Sequence, residues 1–294
     1  MTIENLNNTK LWTALITPFN PDFTVDFDSF KKVIDNNESA GNGHLVLGST
    51  GEALNISKEN KQKIIEYVFS LNLKNPIMIG VGGHDLEETL NWINFLNNFD
   101  QAGCYLLVTP LYAKPGKEGQ TNWFKTLMDR AEKPCMLYNV PGRTACELNL
   151  QTVRELKNHP RYWAIKEASG SVEKFKQYLE ASDNKPVFCG DDGLMNDFAA
   201  AGASGLISVA GNCWPSETHA YANACLDQSL DNIGLWKEAS GSLFFASNPV
   251  PAKFLLYKEG TISHPTVLPP LSQNDMTNLE KVLEYSTRIK QWNK

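Results

Sequence analysis

The chain has 294 residues, of which 42% are hydrophobic and 20% charged, and its formal net charge is -6. This length and apolar content suffice for a sizeable buried core. The acidic balance, with no lysine and arginine cluster interleaved with aromatic residues, argues against a nucleic-acid or anionic-membrane surface and favours a small-molecule substrate.

The N-terminal residues, MTIENLNNTK, lack the apolar segment of a secretion signal. The least polar long window, residues 198–214, is interrupted by glycines and falls short of the roughly 20 apolar residues of a membrane span. The six cysteines show no CxxC spacing, so neither a zinc site nor a disulfide framework is indicated. We therefore expect a cytoplasmic protein with reduced, mostly buried thiols at Cys104, Cys135, Cys146, Cys189, Cys213 and Cys225.

Short apolar runs alternate with amphipathic stretches of helical period along most of the chain. Eight runs are predicted to be strands, at 11–19, 44–50, 76–82, 104–110, 135–141, 162–168, 186–192 and 205–212. Near-continuous apolar strands separated by helices are typical of a parallel sheet covered on both faces. Eight such units predict an α/β protein with a (β/α)8 TIM barrel, and a doubly wound open sheet is the alternative.

About 70 residues follow the eighth unit. Helical patterns at 232–246, 251–260 and 275–292 predict a small helical appendix. We expect two parts: a barrel over residues 1–225 and a C-terminal helical extension over 226–294 that packs on it.

The carboxyl ends of barrel strands carry the chemistry of such folds, and several runs here end in reactive or polar residues. The second ends in GSTGE, where the hydroxyls of Ser49 and Thr50 could hold a carboxylate or phosphate, or simply cap a helix. The fourth and fifth runs place Tyr112, Tyr138 and Arg143 in or beside loops, where such residues are often surface residues without a function.

The sixth run, YWAIKEASG, carries Lys166 at its end. Burial disfavours the charged form of a lysine, and only a neutral amine can attack a ketone to form a Schiff base. A lysine that reaches out to solvent from the strand end is the structural alternative.

Other chemistries have less support. No dinucleotide, P-loop or hydrolase-elbow motif occurs, and the five histidines show no metal-binding spacing. Asp191 and Asp192 could be a catalytic pair, but capping of the following helix is the better interpretation.

The motifs GSTGE, TPLY, YNVPGRT, IKEASG and GDDG follow one another at successive strand ends. In this order and spacing the chain resembles the dihydrodipicolinate synthase / N-acetylneuraminate lyase family of class I pyruvate aldolases, over residues 11 to 260. The resemblance implies that Lys166 forms a Schiff base with pyruvate, without a metal or nucleotide cofactor.

The resemblance also implies the other roles. Tyr138 would handle protons beside the imine, with Ser49 and Tyr112 as the other members of a hydroxyl relay. Thr50 would hold the pyruvate carboxylate together with Ser49. Backbone groups of Gly190 and Ile207 would face the bound pyruvate.

Members of the family contribute the residue at Tyr112 across a dimer interface, so a homodimer or a homotetramer built as a dimer of dimers is implied. Arg143 matches the synthase branch, in which an arginine binds the carboxylate of L-aspartate 4-semialdehyde. We therefore expect condensation of pyruvate with this aldehyde to give 4-hydroxy-tetrahydrodipicolinate, toward diaminopimelate and lysine. A lyase for N-acetylneuraminate or a 2-keto-3-deoxy sugar acid, and a non-catalytic pyruvate-binding regulator, are the alternatives.

Some positions depart from the family pattern. Ser49 stands where most synthases of the family have threonine, so the hydroxyl is kept but the methyl group that restricts the rotamer is lost. Leu111 replaces an aromatic residue, and Lys58 and His84 stand where lysine-inhibited members have His and Asn, although Glu88 is retained. These changes predict weak or absent inhibition by lysine.

Overall fold

The computed structural model of the protein describes residues 2–292, in which eight parallel strands close into a barrel with the order of the chain. The predicted (β/α)8 barrel is confirmed, and the open doubly wound alternative is wrong, because β1 pairs with β8. The strands are Leu11–Ala14 (β1), Gly43–Val46 (β2), Ile77–Val81 (β3), Ala102–Val108 (β4), Cys135–Asn139 (β5), Tyr162–Glu167 (β6), Val187–Cys189 (β7) and Leu206–Ser208 (β8).

Helices follow the strands and cover the outside of the barrel. They are Ile3–Asn8 (α1), Phe27–Ser39 (α2), Lys58–Ser70 (α3), Leu86–Asn97 (α4), Lys117–Arg130 (α5), Pro141–Thr144 (α6), Leu150–Leu156 (α7), Val172–Ala181 (α8), Met195–Ala200 (α9), Pro215–Leu226 (α10), Ile233–Ser242 (α11), Val250–Lys258 (α12) and Leu279–Lys290 (α13). Side-chain caps fix several starts: Asp26, Ser57 and Asp85 each accept a hydrogen bond from a backbone N–H in the first turn of the next helix.

Several apolar runs extend beyond the strands that they predict. β1 ends at Ala14, yet Leu15 and Ile16 are as buried as the strand itself. Hydrophobicity reports burial and not pairing, so a buried turn after a strand looks like more strand in the sequence. These two residues belong to the apolar layer between the strands and the helices.

Two apolar layers make up the core. One lies between strands and helices, and the other fills the barrel interior, where Trp163 packs against Trp12 and Phe188 with ring centroids 6.2 and 5.7 Å apart. An interior filled with bulky side chains leaves no pore, so substrate can enter only at one mouth.

The other end of the barrel is closed by α1, which the polar N-terminal sequence did not predict. Leu6 of this helix is fully buried within the interior cluster, and Asn7 Oδ1 accepts the indole N–H of Trp163 at 2.8 Å. Leu6 is thus the residue of this mostly polar helix that packs into the interior of the barrel.

The three helical patterns at the C-terminal end are confirmed as α11, α12 and α13. They pack beside α10 through aromatic contacts: Trp236 stacks on Tyr221 with centroids 4.1 Å apart, and the indole of Trp214 donates to Ser286 Oγ at 2.9 Å. Residues 1, 293 and 294, which the two predicted parts include, lie outside the described residues.

All six cysteines are unpaired and buried, as predicted. Over residues 2–292, no helix has the length and apolar character needed to cross a bilayer.

Candidate active site

Lys166 and Tyr138 lie side by side at the carboxyl ends of β6 and β5. The two residues are paired in the register of the parallel strands, and each is nearly buried, at 5% and 7% exposure. The Lys166 Nζ lies 4.3 Å from the centroid of the Tyr138 ring. The predicted burial of the lysine is confirmed, so it does not reach out to solvent.

Gly190 follows β7 and leaves room for the lysine side chain. A Cβ at this position would lie 2.9 Å from Lys166 Cε and 2.7 Å from Ala168 Cβ, closer than such atoms come in proteins. The Gly190 N–H donates to the Glu167 carbonyl at 2.8 Å, which holds the glycine against β6. Only glycine at this position lets the lysine extend along the barrel mouth.

Ile207, on β8, lies in the interior cluster with Tyr138 and is 1% exposed. Its side chain is therefore part of the floor beneath the mouth. The predicted contact of its backbone with a ligand stays a prediction.

Ser49 and Thr50 form a tight turn directly after β2. The turn is closed by hydrogen bonds from the Gly51 N–H to the Gly48 carbonyl at 3.1 Å and from the Glu52 N–H to the Ser49 carbonyl at 3.1 Å. Ser49 is exposed at the mouth, whereas Thr50 is buried. Neither hydroxyl caps a helix, since Glu52 is the N-cap of the following short helical turn and Ser57 that of α3.

The Thr50 hydroxyl has a fixed partner from the C-terminal extension. Asn248 Nδ2 donates to Thr50 Oγ1 at 2.8 Å, and both side chains are buried. A hydroxyl that accepts from an amide still has its own proton to donate. The geometry thus leaves Thr50 as a donor toward an anion in the mouth.

A buried ion pair fastens the same turn to α12. Lys253 Nζ lies 2.5 Å from Glu52 Oε1 and also donates to the Thr266 carbonyl at 2.7 Å, while Glu52 Oε2 accepts from the Leu268 N–H at 2.6 Å. Burial lowers the pKa of Lys253 to about 8 although Glu52 opposes the shift. Burial likewise raises the pKa of Glu52. Both carboxylate oxygens of Glu52 thus have a partner, and the Lys253 ammonium, which has two hydrogen-bond acceptors, also lies 4.3 Å from the centroid of the Phe19 ring.

Arg143 lies on α6, the short helix that follows β5. Pro141 starts this helix, and the backbone N–H groups of Arg143 and Thr144 both donate to the Val140 carbonyl. The Arg143 side chain is exposed. Arg143 thus lies on the first helical turn after the strand that carries Tyr138, and its predicted contact with a substrate stays a prediction.

Tyr112, the remaining predicted relay member, is 93% exposed in the loop after β4, with a positive φ of 64°. A large ring held out in solvent in the left-handed backbone region is unusual for a single chain. Within one chain, therefore, Tyr112 does not join Lys166 and Tyr138 in a buried site.

The two aspartates after β7 have structural roles. Asp191 caps the next helical turn by accepting the Gly193 N–H at 3.1 Å, as predicted. Asp192 is buried and accepts hydrogen bonds from the Ser208 hydroxyl and from the Val209 N–H, the latter at 2.9 Å. Burial raises the pKa of Asp192 to about 6 despite these donors. Asp192 thus anchors the backbone that follows Ile207.

Asn248 was not predicted from the sequence. It is 198 positions from Thr50 along the chain, and its surroundings, SNPVP, resemble an ordinary loop. Only a three-dimensional contact reveals its role.

The described residues contain no group of three or more His, Cys, Asp or Glu side chains that could hold a metal ion. The groups at the mouth are instead a buried amine, a phenol and hydroxyls. Such a set can form an imine with a keto acid and move protons at the carbon beside it.

Comparison with known proteins agrees with this chemistry. The profile of the Dihydrodipicolinate synthetase family matches residues 7–288. A 4-hydroxy-tetrahydrodipicolinate synthase of Wolbachia pipientis wMel is 43% identical over 288 residues, which are 98% of each chain. A protein of the same name from Francisella philomiragia is 41% identical over 97% of each chain.

A solved structure shows the same architecture. The chloride-inhibited dihydrodipicolinate synthase from Acinetobacter baumannii, complexed with pyruvate, superimposes with a TM-score of 0.88 at 30% identity, over 95% of this chain and 99% of that one. The profile, the full-length relatives and the shared barrel lead to one conclusion: the chain belongs to the dihydrodipicolinate synthetase family.

Proposed function

We propose that the protein is a lyase that condenses pyruvate with L-aspartate 4-semialdehyde to give 4-hydroxy-tetrahydrodipicolinate, in the biosynthesis of diaminopimelate and lysine. The observation that carries this proposal is the amine of Lys166, buried at the end of β6 beside the Tyr138 ring. Relatives of this name that match the chain over nearly its full length support it.

The first half of the reaction activates pyruvate. The neutral Lys166 Nζ attacks the ketone carbon, and loss of water leaves a protonated imine. Withdrawal of electrons into this imine allows a methyl proton to leave, which gives an enamine. Tyr138, whose ring centroid lies 4.3 Å from the nitrogen, is the proposed proton carrier.

The second half forms the product and frees the enzyme. The enamine carbon attacks the aldehyde carbon, and the resulting alkoxide takes up a proton. The amino group of the semialdehyde then attacks the imine carbon, closes the ring and displaces the Lys166 amine. Each bond made to the lysine is broken in turn, so neither a redox cofactor nor a metal is required by this sequence of steps.

The carboxylate of pyruvate is assigned to the turn after β2. Thr50, whose hydroxyl already accepts from Asn248, donates its proton to the carboxylate, and Ser49 lies exposed next to it. Backbone groups of Gly190 and Ile207 complete the binding site, which is consistent with the close approach of Gly190 to the lysine.

Arg143 is the proposed specificity residue. A guanidinium can hold a carboxylate through two parallel hydrogen bonds, and its exposed position on α6 suits the incoming semialdehyde and not the covalently held pyruvate.

Tyr112 is proposed to complete the relay with Ser49 and Tyr138 in a second copy of the chain. The 93% exposure of Tyr112 supports this assignment, because a ring so exposed in its own chain must be covered by another surface to act. A homodimer is the smallest complete unit, and a homotetramer would be a dimer of such dimers.

Three further expectations accompany the proposal, on the division of the chain into parts, on the compartment and on inhibition by lysine. The barrel part ends near residue 225, at the end of α10, and the extension begins there. Six unpaired, buried cysteines suit a reducing compartment, so we expect the protein to work in the cytoplasm.

Inhibition by lysine is expected to be weak or absent. Lys58 and Lys61 both lie in the first turns of α3, and Glu88 acts electrostatically on Lys61. An ammonium group that already interacts with Glu88 opposes the binding of another one there. Turnover should stay nearly constant in millimolar lysine, and strong suppression would contradict this expectation.

Borohydride trapping tests the proposed nucleophile. Reduction in the presence of pyruvate should attach one pyruvate-derived group to the peptide that contains Lys166, as read by mass spectrometry. A label on another lysine, or none in the native protein, would refute the assignment.

A further inference from the structure

Asn139 and Glu167 form a buried pair directly behind the proposed site. They are in register on β5 and β6, one residue beyond Tyr138 and Lys166. Successive side chains of a strand point to opposite faces, so this pair faces the surrounding helices. Both residues are fully buried, and Asn139 Nδ2 donates to Glu167 Oε2 at 2.7 Å.

The same two side chains hold the backbone on either side. The Leu148 N–H donates to Asn139 Oδ1 at 2.8 Å, and the Ser169 N–H donates to Glu167 Oε1 at 2.8 Å. Residues 140–148 thus leave Asn139 along the chain and return to its side chain. Arg143 lies within this segment, so Asn139 fixes both ends of the stretch of backbone that carries it.

Glu167 is a costly residue to bury. The other charged group that acts on it is the carboxylate of Glu147, which also disfavours a negative charge. A buried carboxylate without a cation must be stabilised by hydrogen-bond donors, and here the donors include the Asn139 amide and the Ser169 backbone N–H. A leucine or methionine would avoid this desolvation penalty if packing were the only role of the residue.

We propose that Asn139 and Glu167 are positioning residues, which fix the Arg143 segment relative to Lys166 and so govern recognition of the second substrate. This proposal rests on the proposed role of Arg143. The far side of the segment has other contacts, from Gln120 to the Glu147 carbonyl at 2.8 Å and from Thr109 to Thr144 at 3.2 Å. Those contacts keep the segment folded but do not tie it to β6.

Isosteric exchanges separate this role from simple packing. In Asn139→Asp two carboxylates face each other, and in Glu167→Gln two amides do, so each single variant loses one hydrogen bond. The double exchange Asn139→Asp with Glu167→Gln reverses the donor and acceptor and restores all three hydrogen bonds without changing any shape.

Each variant is compared with the native protein in two measurements: kcat/KM for the semialdehyde, and the pyruvate concentration that half-saturates borohydride trapping. Each single variant should lower kcat/KM for the semialdehyde about 10- to 100-fold. The pyruvate concentration that half-saturates trapping should stay within about threefold of the native one. The double exchange should return to within about fivefold of the native kcat/KM. It can be measured even if a single variant does not fold.

Three results would overturn the proposal: single variants like the native protein, a folded double exchange as impaired as the singles, or equal losses with both substrates. Arg143→Ala serves as the reference. If it is impaired while the exchanges are harmless, only the positioning role fails. If Arg143→Ala itself uses the semialdehyde normally, the proposed function of Arg143 fails, and the positioning role fails with it.

Discussion

At the scale of single residues, the chemistry depends on which side chains are held and which are free. Lys166 and Tyr138 are nearly buried and fixed by strand pairing, whereas Arg143 and Ser49 are exposed at the mouth. In the proposed mechanism Lys166 and Tyr138, which form the imine and move its protons, are thus built on strands, and Arg143, which would bind the incoming aldehyde, lies on a helical turn after a strand.

Replacing Arg143 tests the assignment of the second substrate. Arg143→Ala should lower kcat/KM for L-aspartate 4-semialdehyde on the order of 100-fold, because a charge-assisted pair of hydrogen bonds is lost. Trapping of pyruvate on Lys166 should hardly change. Arg143→Lys is the matched control, which keeps the charge but not the fork and should be intermediate. Equal losses with both substrates would refute the assignment.

Asp192 should give the stability of the protein a characteristic pH dependence. Its folded-state pKa of about 6 lies above the ordinary value of 3.8, so the folded protein holds more protons than the unfolded chain between these values. The free energy of unfolding contributed by this group therefore falls as the pH rises from about 4 to about 6, by about 3 kcal/mol.

Chemical denaturation at pH 4 and at pH 6.5 measures this effect. Between the two pH values the free energy of unfolding should fall further, or rise less, in the native protein than in Asp192→Asn, which cannot titrate. An equal change in both proteins would show that Asp192 does not titrate in this range.

At the scale of elements, the contact between the C-terminal extension and the turn after β2 holds Thr50, the proposed ligand of the pyruvate carboxylate. Asn248→Asp would offer Thr50 an acceptor in place of a donor, draw its proton away from the pyruvate carboxylate and add a negative charge nearby. The KM for pyruvate should rise about 10- to 100-fold with a smaller change in kcat. Thr50→Ser, which keeps the hydroxyl, is the control; an unchanged KM in Asn248→Asp would contradict the assigned orientation.

The elements themselves could largely be predicted from the sequence. Apolar runs identified all eight strands, and the residues at their ends included Lys166 and Tyr138. Strand ends were less accurate, because buried turns such as Leu15 and Ile16 are as apolar as strands. The helix α1 was missed, since Leu6 alone carries its packing.

Contacts between distant segments could not be predicted. The Asn248 contact with Thr50 and the Lys253 ion pair with Glu52 join positions about 200 residues apart. In the sequence an amide in a loop and a lysine in a helix are ordinary surface residues. Their burial depends on how the extension packs on the barrel, which no local pattern reports.

At the scale of the whole molecule, the exposed Tyr112 predicts that activity requires a second copy of the chain. Lys166→Ala and Tyr112→Phe variants should each be nearly inactive alone. After mixing and subunit exchange they should regain about a quarter of the native rate, because half of the dimers are then mixed and each mixed dimer has one intact site.

The control is a mixture of Lys166→Ala with Tyr138→Phe, because both residues are proposed to act in the site of their own chain. In each mixed dimer the site of one chain lacks Lys166 and the site of the other lacks the Tyr138 hydroxyl, so we expect no recovery. Recovery of this mixture would mean that Tyr138 acts across the interface. Absence of recovery in the first mixture, with exchange verified by mass spectrometry, would place Tyr112 in its own chain's site or outside the mechanism.

The measurement that tests the central proposal most directly is turnover of the purified protein with pyruvate and L-aspartate 4-semialdehyde, coupled to the NADPH-dependent reductase that consumes the product. We predict steady oxidation of NADPH that needs both substrates and disappears in Lys166→Ala. An inactive native protein that still traps pyruvate on Lys166 would retain the aldolase chemistry but contradict the proposed second substrate. Undiminished turnover in Lys166→Ala would contradict the Schiff-base mechanism itself.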